Sequence, residues 1–375
     1  MSDLSASHFH RTPSGFVACD LCLRHCVIAV GEVGFCGVRA VPAEPRTAEP
    51  GVSRPLEALN PAAPDRDAPG TLVTLAQDRV AAVAVDPIEK KPLYHAEPGA
   101  RIFSFAVVGC NLACPWCQNH EMSQWPREHG VPMGTVGPML PGDRLTPAEL
   151  VARAVASGCR WIAATYTEPT VFFEYALEVA RLARAAGLKN AWVTNGTIEQ
   201  APLSELVPFL DAANVDLKCL GDPDADRLLG VRSDRVAGTI RALVDGGVHV
   251  EVTTLIVPGF NDGPGHLERI AAFVASLGDR GIWHVSRYHP TWQWDAPATP
   301  TATLERAVAA ARAAGVPYVY VGNARLAGND GGENTRCPGC GAVLIERRGF
   351  SVRASRVTPA GRCPGCGATI PGVWG

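Results

Sequence analysis

The stretch RIFSFAVVGCNLACPWCQNHEMSQ, residues 101–124, sets the reading of the whole chain. It opens as a strand-like apolar run. It then delivers Cys110, Cys114 and Cys117 at C-x3-C-x2-C spacing, with Trp116 directly before the last. A strand that hands reactive residues to the loop after it is one unit of a parallel α/β fold. Outward from it the pattern repeats. The runs RWIAAT, LKNAWVT, AANVDL, VHVEVTTLIV, IWHVSRY and PYVYV follow, separated by helix-like segments. One helix opens with Thr146 as N-cap, Pro147 at N1 and Glu149 at N3, which predicts a capping box. TVFFEYALEVARLARAAG and TLERAVAAARAAG carry helical periodicity and end in glycine. Such alternation predicts parallel strands covered by helices, in a barrel or a doubly wound open sheet.

Polar residues at the strand ends favour the barrel. TYTEP (165–169) follows the second run and TNG (194–196) the third. The fourth ends in VDLK (215–218), the fifth in PGFND (258–262), and the sixth carries His284 and leads into YHP (288–290). A ring of strands gathers such residues at one mouth, whereas an open sheet uses the few strands beside its switch point. The expected architecture is α/β: a partial (βα)6-type TIM barrel over residues 71–325. A hairpin in TLVTLAQDRVAAVAV, turning near Gln77 and Asp78, is expected to precede it. Residues 1–70 read as a four-cysteine segment with an irregular Pro- and Ala-rich linker over 41–70. Residues 326–375 read as a zinc-ribbon-like domain.

The chain has 375 residues, 47% of them hydrophobic, and a net charge of -3. That supports a sizeable core and gives no electrostatic case for nucleic acid or an anionic membrane. No apolar run reaches the roughly 18 residues of a membrane span. MSDLSASHFHRTPSG lacks the basic start and apolar stretch of a secretory signal, so a cytoplasmic location is expected.

Thirteen cysteines are unevenly spread. Four are Cys19, Cys22, Cys26 and Cys36, three lie in the central loop, and four are Cys337, Cys340, Cys363 and Cys366. Only Cys159 and Cys219 stand alone. In a reducing compartment such clusters read as metal or cluster ligands. CPGC at 337–340 and CPGCG at 363–367, with strand-like pieces between, read as a zinc ribbon, with a second iron–sulfur cluster or disulfides as rivals. The N-terminal set has irregular C-x2-C-x3-C-x9-C spacing, and His25 competes as a ligand. It reads as a zinc site, since zinc accepts irregular spacing if a tetrahedron can close, with an auxiliary [4Fe–4S] cluster as the alternative. The lone cysteines read as small buried hydrophobes. RYHPTWQW (287–294) reads as a lid, a substrate wall or loop packing.

The central loop has three cysteines where a closed zinc site needs four ligands, although His120 or Glu121 could complete one. A [4Fe–4S] cluster held by three thiolates leaves one iron for an exchangeable ligand. With an aromatic residue before its third cysteine, the loop resembles the radical SAM loop. That resemblance implies a [4Fe–4S] cluster on Cys110, Cys114 and Cys117, chelation of its fourth iron by S-adenosylmethionine (SAM), and reductive cleavage to a 5′-deoxyadenosyl radical. SAM offers an ammonium, a carboxylate, a ribose diol and an adenine. Thr167, Glu168, Thr194, Asn195, Asp216, Lys218 and His284 sit at strand ends suited to receive them. Lys218 is one of only four lysines among 34 basic residues, which points to a compact charge being required there.

The TNG and DLK stretches resemble those of pyruvate formate-lyase activating enzymes, although Tyr166-Thr167-Glu168 stands where those have Gly-Gly-Glu. A closer resemblance, carried by CDLCLRHCVIAVGEVGFCGVR, DPIEKKPLYH, YTEPTVFFEYA, YVGN and the two tail knuckles, is to the AmmeMemoRadiSam system radical SAM enzyme. It implies an oxidoreductase-type enzyme using [4Fe–4S], SAM and zinc, associated with Memo-like and AMMECR-like proteins and reduced by an electron donor protein. The rival readings are a glycyl-radical enzyme activase and a non-catalytic zinc-rich scaffold.

Overall fold

A computed structural model describes residues 6–43, 71–130, 140–263, 265–327 and 332–375. Most of the expected linker, 44–70, lies outside these residues. Seven parallel strands form the core: Arg101–Ala106, Trp161–Ala164, Lys189–Thr194, Ala212–Asp216, His249–Ile256, Ile282–Arg287 and Tyr318–Gly322. Each pairs with the next in chain order. Ala82–Pro87 adds an antiparallel edge strand beside the first. An order that never reverses has no switch point, so the doubly wound alternative is excluded. The two edge strands do not pair with each other, so the ring is open.

Six strand–helix units precede the seventh strand, with covering helices Pro147–Ala156, Phe173–Ala185, Gln200–Leu206, Ser233–Asp245, His266–Ala275 and Thr301–Ala314. The first has its capping box: Glu149 N donates to Thr146 Oγ1 at 3.2 Å, and Thr146 N donates to Glu149 Oε2 at 2.8 Å. Strand residues alternate between two environments, as the period of two requires. Phe103, Ile162, Trp192, Val252 and Val285 pack with the helices in the main core. Ile102, Trp161, Ala163, Ala191 and Ala212 point the other way and close over Ile88 and Leu93. Three alanines in that layer leave room for this plug. Among the described residues no helix is long and apolar enough to cross a membrane.

The hairpin expected near Gln77 and Asp78 does not form. Val73–Thr74 pairs with Arg39–Ala40, Arg79–Val80 with Asp143–Arg144, and Ala82–Pro87 with Arg101–Ala106. Short apolar pieces gain little from a two-stranded hairpin and more from completing edges that are already packed.

The flanking segments are built onto the sheet. Three short strands, Phe9–Arg11, Val17–Cys19 and Val27–Ile28, form the N-terminal sheet. Arg39 anchors it: the side chain is buried and pairs with Glu174 at 2.9 Å. At the other end, Thr335–Arg336, Val343–Arg348 and Ser351–Ser355 form an antiparallel sheet. Its buried Arg347 donates to Tyr94 O and to Thr335 Oγ1 (2.8 Å) and lies 4.3 Å from the Tyr94 ring centroid.

His95 ties the tail to the core. Its Nδ1 lies 2.8 Å from Pro371 O and its Nε2 2.6 Å from the Tyr320 hydroxyl. Burial pulls its pKa down to about 3. The unfolded imidazole takes its proton near ~6.5. Its contribution is therefore complete above that pH and is lost as pH falls toward 3. Between pH ~6.5 and ~5, His95 alone is expected to cost ~2 kcal/mol of stability. Urea titrations of wild type and His95→Asn across that interval check this; equal pH slopes for the two proteins would refute it.

Candidate active site at the strand ends

The first parallel strand runs out through Val107 and Val108 to Gly109, where φ is +103°. A side chain there would meet Cys36 O and Val38 Cγ1, each 2.9 Å from its Cβ. Glycine thus lets the turn press against the N-terminal segment, and the cysteine loop starts from that contact. Trp116, buried, packs on Phe260 and Trp294 at centroid distances of 4.5 and 5.4 Å. Gln293 N donates to Pro115 O at 2.9 Å. RYHPTWQW therefore backs the cysteine loop from outside and is absent from the cavity lining.

Inside the loop, Leu112 N donates to Cys110 Sγ (3.3 Å), Ser123 Oγ lies 3.2 Å from Cys117 Sγ, and Asn195 Nδ2 lies 3.9 Å from Cys110 Sγ. Burial raises the pKa of Cys110 and Cys114, opposed at Cys114 by the positive charge of Lys218. Such thiols give up their protons to a metal that takes the sulfurs.

All three cysteines open onto one cavity of about 870 Å³. The seven strand-end candidates Thr167, Glu168, Thr194, Asn195, Asp216, Lys218 and His284 line the same cavity. Its volume lies in the range of small-molecule and cofactor pockets. One buried and two half-buried cysteines, with polar groups across the gap, fit a cluster that keeps one iron open toward SAM.

The candidates differ in how they are held. Glu168 caps the short helix Pro169–Phe172 and is buried. Its Oε1 accepts from Thr170 N (3.1 Å), Thr170 Oγ1 (2.6 Å) and Thr194 Oγ1 (2.7 Å), and its Oε2 accepts from Asn195 N (2.8 Å). Burial raises its pKa and these donors oppose the rise. Thr194 is thus a prop for Glu168, and Thr167 turns its hydroxyl back to Val107 O at 2.6 Å. Lys218 pairs with Asp216 at 2.8 Å. Burial would lower the lysine pKa, but Asp216 and Cys114 hold it above its ordinary value. His284 is committed deeper in the barrel, its Nε2 2.6 Å from Glu251 Oε2. Glu251 also accepts from His95 N at 2.7 Å, and its Oε1 lies 2.9 Å from His249 Nε2.

Sequence reasoning missed one wall. Tyr166, at φ +67°, donates its hydroxyl to Asp86 at 2.6 Å. Lys91 and Lys90 donate to the same carboxylate at 2.7 and 2.9 Å, and Lys91 lies 4.1 Å from the Tyr166 ring centroid. Asn119 Nδ2 ties Tyr166 O to the cysteine loop at 2.7 Å. Lys90, Lys91 and Tyr166 all line the cavity. The available signal was that two of only four lysines are adjacent. Glu333, just before the C-terminal sheet, and Gly349 and Phe350, in the turn between its last two strands, line the cavity as well.

The C-terminal cysteines converge. Cys337 and Cys366 sulfurs are 3.6 Å apart, Cys340 and Cys363 3.7 Å, and all four lie within 4.8 Å of one another. This group could hold a single metal ion. Cys19, Cys22, Cys26 and Cys36 line a separate pocket behind the central loop. Cys159 is buried, and Cys219 is buried with its thiol on Asp226 Oδ1 at 3.3 Å.

The profile of the Radical SAM superfamily matches residues 106–274. The chain is 37% identical over 351 residues to the uncharacterized protein MJ0808 of Methanocaldococcus jannaschii, across 93% of this chain and 92% of that one. It is 25% identical over 201 residues to the pyruvate formate-lyase 1-activating enzyme of Escherichia coli, across 51% and 75%. Among solved structures, Streptococcus suis SuiB bound to S-adenosylmethionine aligns at a TM-score of 0.45 and 12% identity, across 63% of this chain and 53% of that one.

Proposed function

The chain belongs to the radical SAM superfamily, and we propose that the cavity at its strand ends is a SAM-cleaving active site acting on a substrate within the AmmeMemoRadiSam system. The observation that carries the reading is the convergence of Cys110, Cys114, Cys117 and all seven strand-end candidates on one cavity. When bound, a [4Fe–4S] cluster and SAM supply reductive sulfonium cleavage and a carbon radical that abstracts hydrogen.

The protein's part is to bind, orient and exclude water. Cys110, Cys114 and Cys117 hold the cluster. Glu168, fixed by Thr170, Thr194 and Asn195 N, offers a charged edge for an ammonium. Lys218 offers a point cation for a carboxylate, and Asn195 and Asp216 suit a ribose diol. Trp116, Phe260 and Trp294 keep water off the back of the loop. The wall of Lys90, Lys91 and Tyr166 faces the remaining space, where substrate would lie.

Cys337, Cys340, Cys363 and Cys366 hold zinc in this reading, their sulfur spacing matching a tetrahedral site. A Cys340→Ser/Cys366→Ser variant is expected to lose about one zinc per chain. It should melt at lower temperature with its iron unchanged; retained zinc would refute the assignment. A cytoplasmic one-electron donor protein supplies the reducing equivalent, and Memo-like and AMMECR-like proteins are the proposed partners.

Anaerobically reconstituted protein with SAM and dithionite is expected to release 5′-deoxyadenosine and methionine. Iron-loaded protein that releases neither overturns the proposal. The similarity to an activating enzyme favours one second reading, formation of a glycyl radical on a partner protein. A glycyl signal in electron paramagnetic resonance on mixing with candidate glycyl-radical enzymes would establish it.

A further inference from the structure

We propose that Cys19, Cys22, Cys26 and Cys36 hold a second [4Fe–4S] cluster against the back of the three-cysteine loop, in place of the zinc expected from their spacing. All four are free thiols. Together with Arg24, Arg39 and Asn111 they line one pocket. Cys19 ends a strand, Cys22 and Cys26 flank a turn in which His25 takes a φ of +43°, and Cys36 follows the next strand. His25, the rival ligand, is turned away, with Nε2 2.9 Å from Glu199 and Nδ1 3.7 Å from Asp20. The donor set is therefore four sulfurs.

Sulfur spacing separates the two candidate occupants. Zinc at ~2.3 Å from each sulfur draws four of them to ~3.8 Å from one another. The C-terminal set has that spacing, with 3.6 and 3.7 Å across its two close pairs. Among the described residues no other group of three or more cysteine, histidine or carboxylate ligand atoms gathers within 4.8 Å. Neither the N-terminal sulfurs nor those of Cys110, Cys114 and Cys117, in the loop matched by the superfamily profile, are gathered that closely. The C-terminal set thus has a single-ion spacing that neither the N-terminal set nor the central loop shares.

The surroundings fit a charged cluster. Arg24 and Asn111, which line the pocket with the four cysteines, are joined by a hydrogen bond from Arg24 Nε to Asn111 O at 2.6 Å. Donors to sulfur and nearby cations stabilise a cluster's negative charge. Arg24 and Arg39 supply the cations at the pocket wall. The pocket is also coupled to the active site. Asn195 Nδ2 donates to Asn111 Oδ1 at 2.8 Å and approaches Cys110 Sγ at 3.9 Å. Arg127 Nη1 bridges Phe35 O (2.9 Å) and Cys110 O (2.8 Å). An N-terminal zinc staple would need none of this continuity with the reactive loop.

Full-length protein, purified anaerobically and reconstituted with iron and sulfide, is expected to carry about eight irons and about one zinc per chain. Cys22→Ser/Cys36→Ser is expected to lose about four irons and keep its zinc. Added SAM should still perturb the paramagnetic resonance signal of its remaining reduced cluster. Cys114→Ala is expected to keep about four irons and lose that perturbation. The wild-type count stands whether or not the variants fold. About four irons with about two zincs in wild type overturns the assignment, as does iron that the N-terminal substitutions leave in place. Eight-iron protein that never cleaves SAM would refute the proposed activity and leave this inference standing.

Discussion

Cys114→Ala is expected to reduce 5′-deoxyadenosine formation to the assay background and to remove about four irons per chain. The physical reason is the missing fourth thiol. A cluster held by only three cysteines has no spare ligand, and losing one leaves two thiolates for four irons. Cys114 is the loop's buried cysteine, and the positive charge of Lys218 acts on its sulfur. The loop's own fold should survive, because Trp116, Phe260 and Trp294 hold it independently of the sulfurs. Zinc content and melting temperature therefore serve as controls and should stay near wild type. Anaerobic assay with SAM and dithionite, product being read by chromatography, checks the result. Persistent 5′-deoxyadenosine would sink the central claim.

The second large effect is expected at Glu168. Glu168→Gln is nearly isosteric, yet its amide nitrogen cannot accept a hydrogen bond. With the amide oxygen toward Thr170 and Thr194, the new NH2 group faces the Asn195 N–H, donor against donor. With the amide flipped, three donors lose their acceptor instead. Either way a buried polar group goes unpaired and the negative charge disappears, at a cost of roughly 2–4 kcal/mol. If that cost falls on the SAM-bound state, kcat/KM for SAM drops ~30- to ~1000-fold. Iron content should not change, which separates this effect from cluster loss. Thr194→Val removes only one prop and should cost ~10-fold or less. A Glu168→Gln enzyme within about threefold of wild type would mean that Glu168 is only a helix cap.

Much of the site was legible because its signals are local. C-x3-C-x2-C places three sulfurs on one short loop whatever surrounds it. The parallel sheet then lines up the strand ends, so polar residues at 167–168, 194–195, 216–218 and 284 reach one cavity without further information. Local reading placed these residues at the strand ends but did not give their hydrogen-bond partners. Thr194 and His284 line the cavity as expected of strand-end residues, but only the structure shows that Thr194 also donates to Glu168 and that His284 lies against Glu251. A side chain's partner depends on what lies across the barrel, and neither periodicity nor spacing carries that.

The sequence alone determined the parallel α/β core, the three-cysteine loop at its first strand end and the presence of two further cysteine sets. Each follows from patterns within a few residues or from the alternation of strand and helix periods. Only the tertiary structure decided which contacts cross the chain. It set Tyr166 against Asp86, 80 positions away, and Arg347 against Tyr94, 253 away. It also paired the supposed hairpin with three different partners, and brought Gly349 and Phe350 to the cavity. It likewise drew the four C-terminal sulfurs, and not the four N-terminal ones, to within 4.8 Å of one another. Two sets of four thiols look alike in a sequence. The space between their sulfurs is fixed by how far the surrounding strands and turns hold them apart.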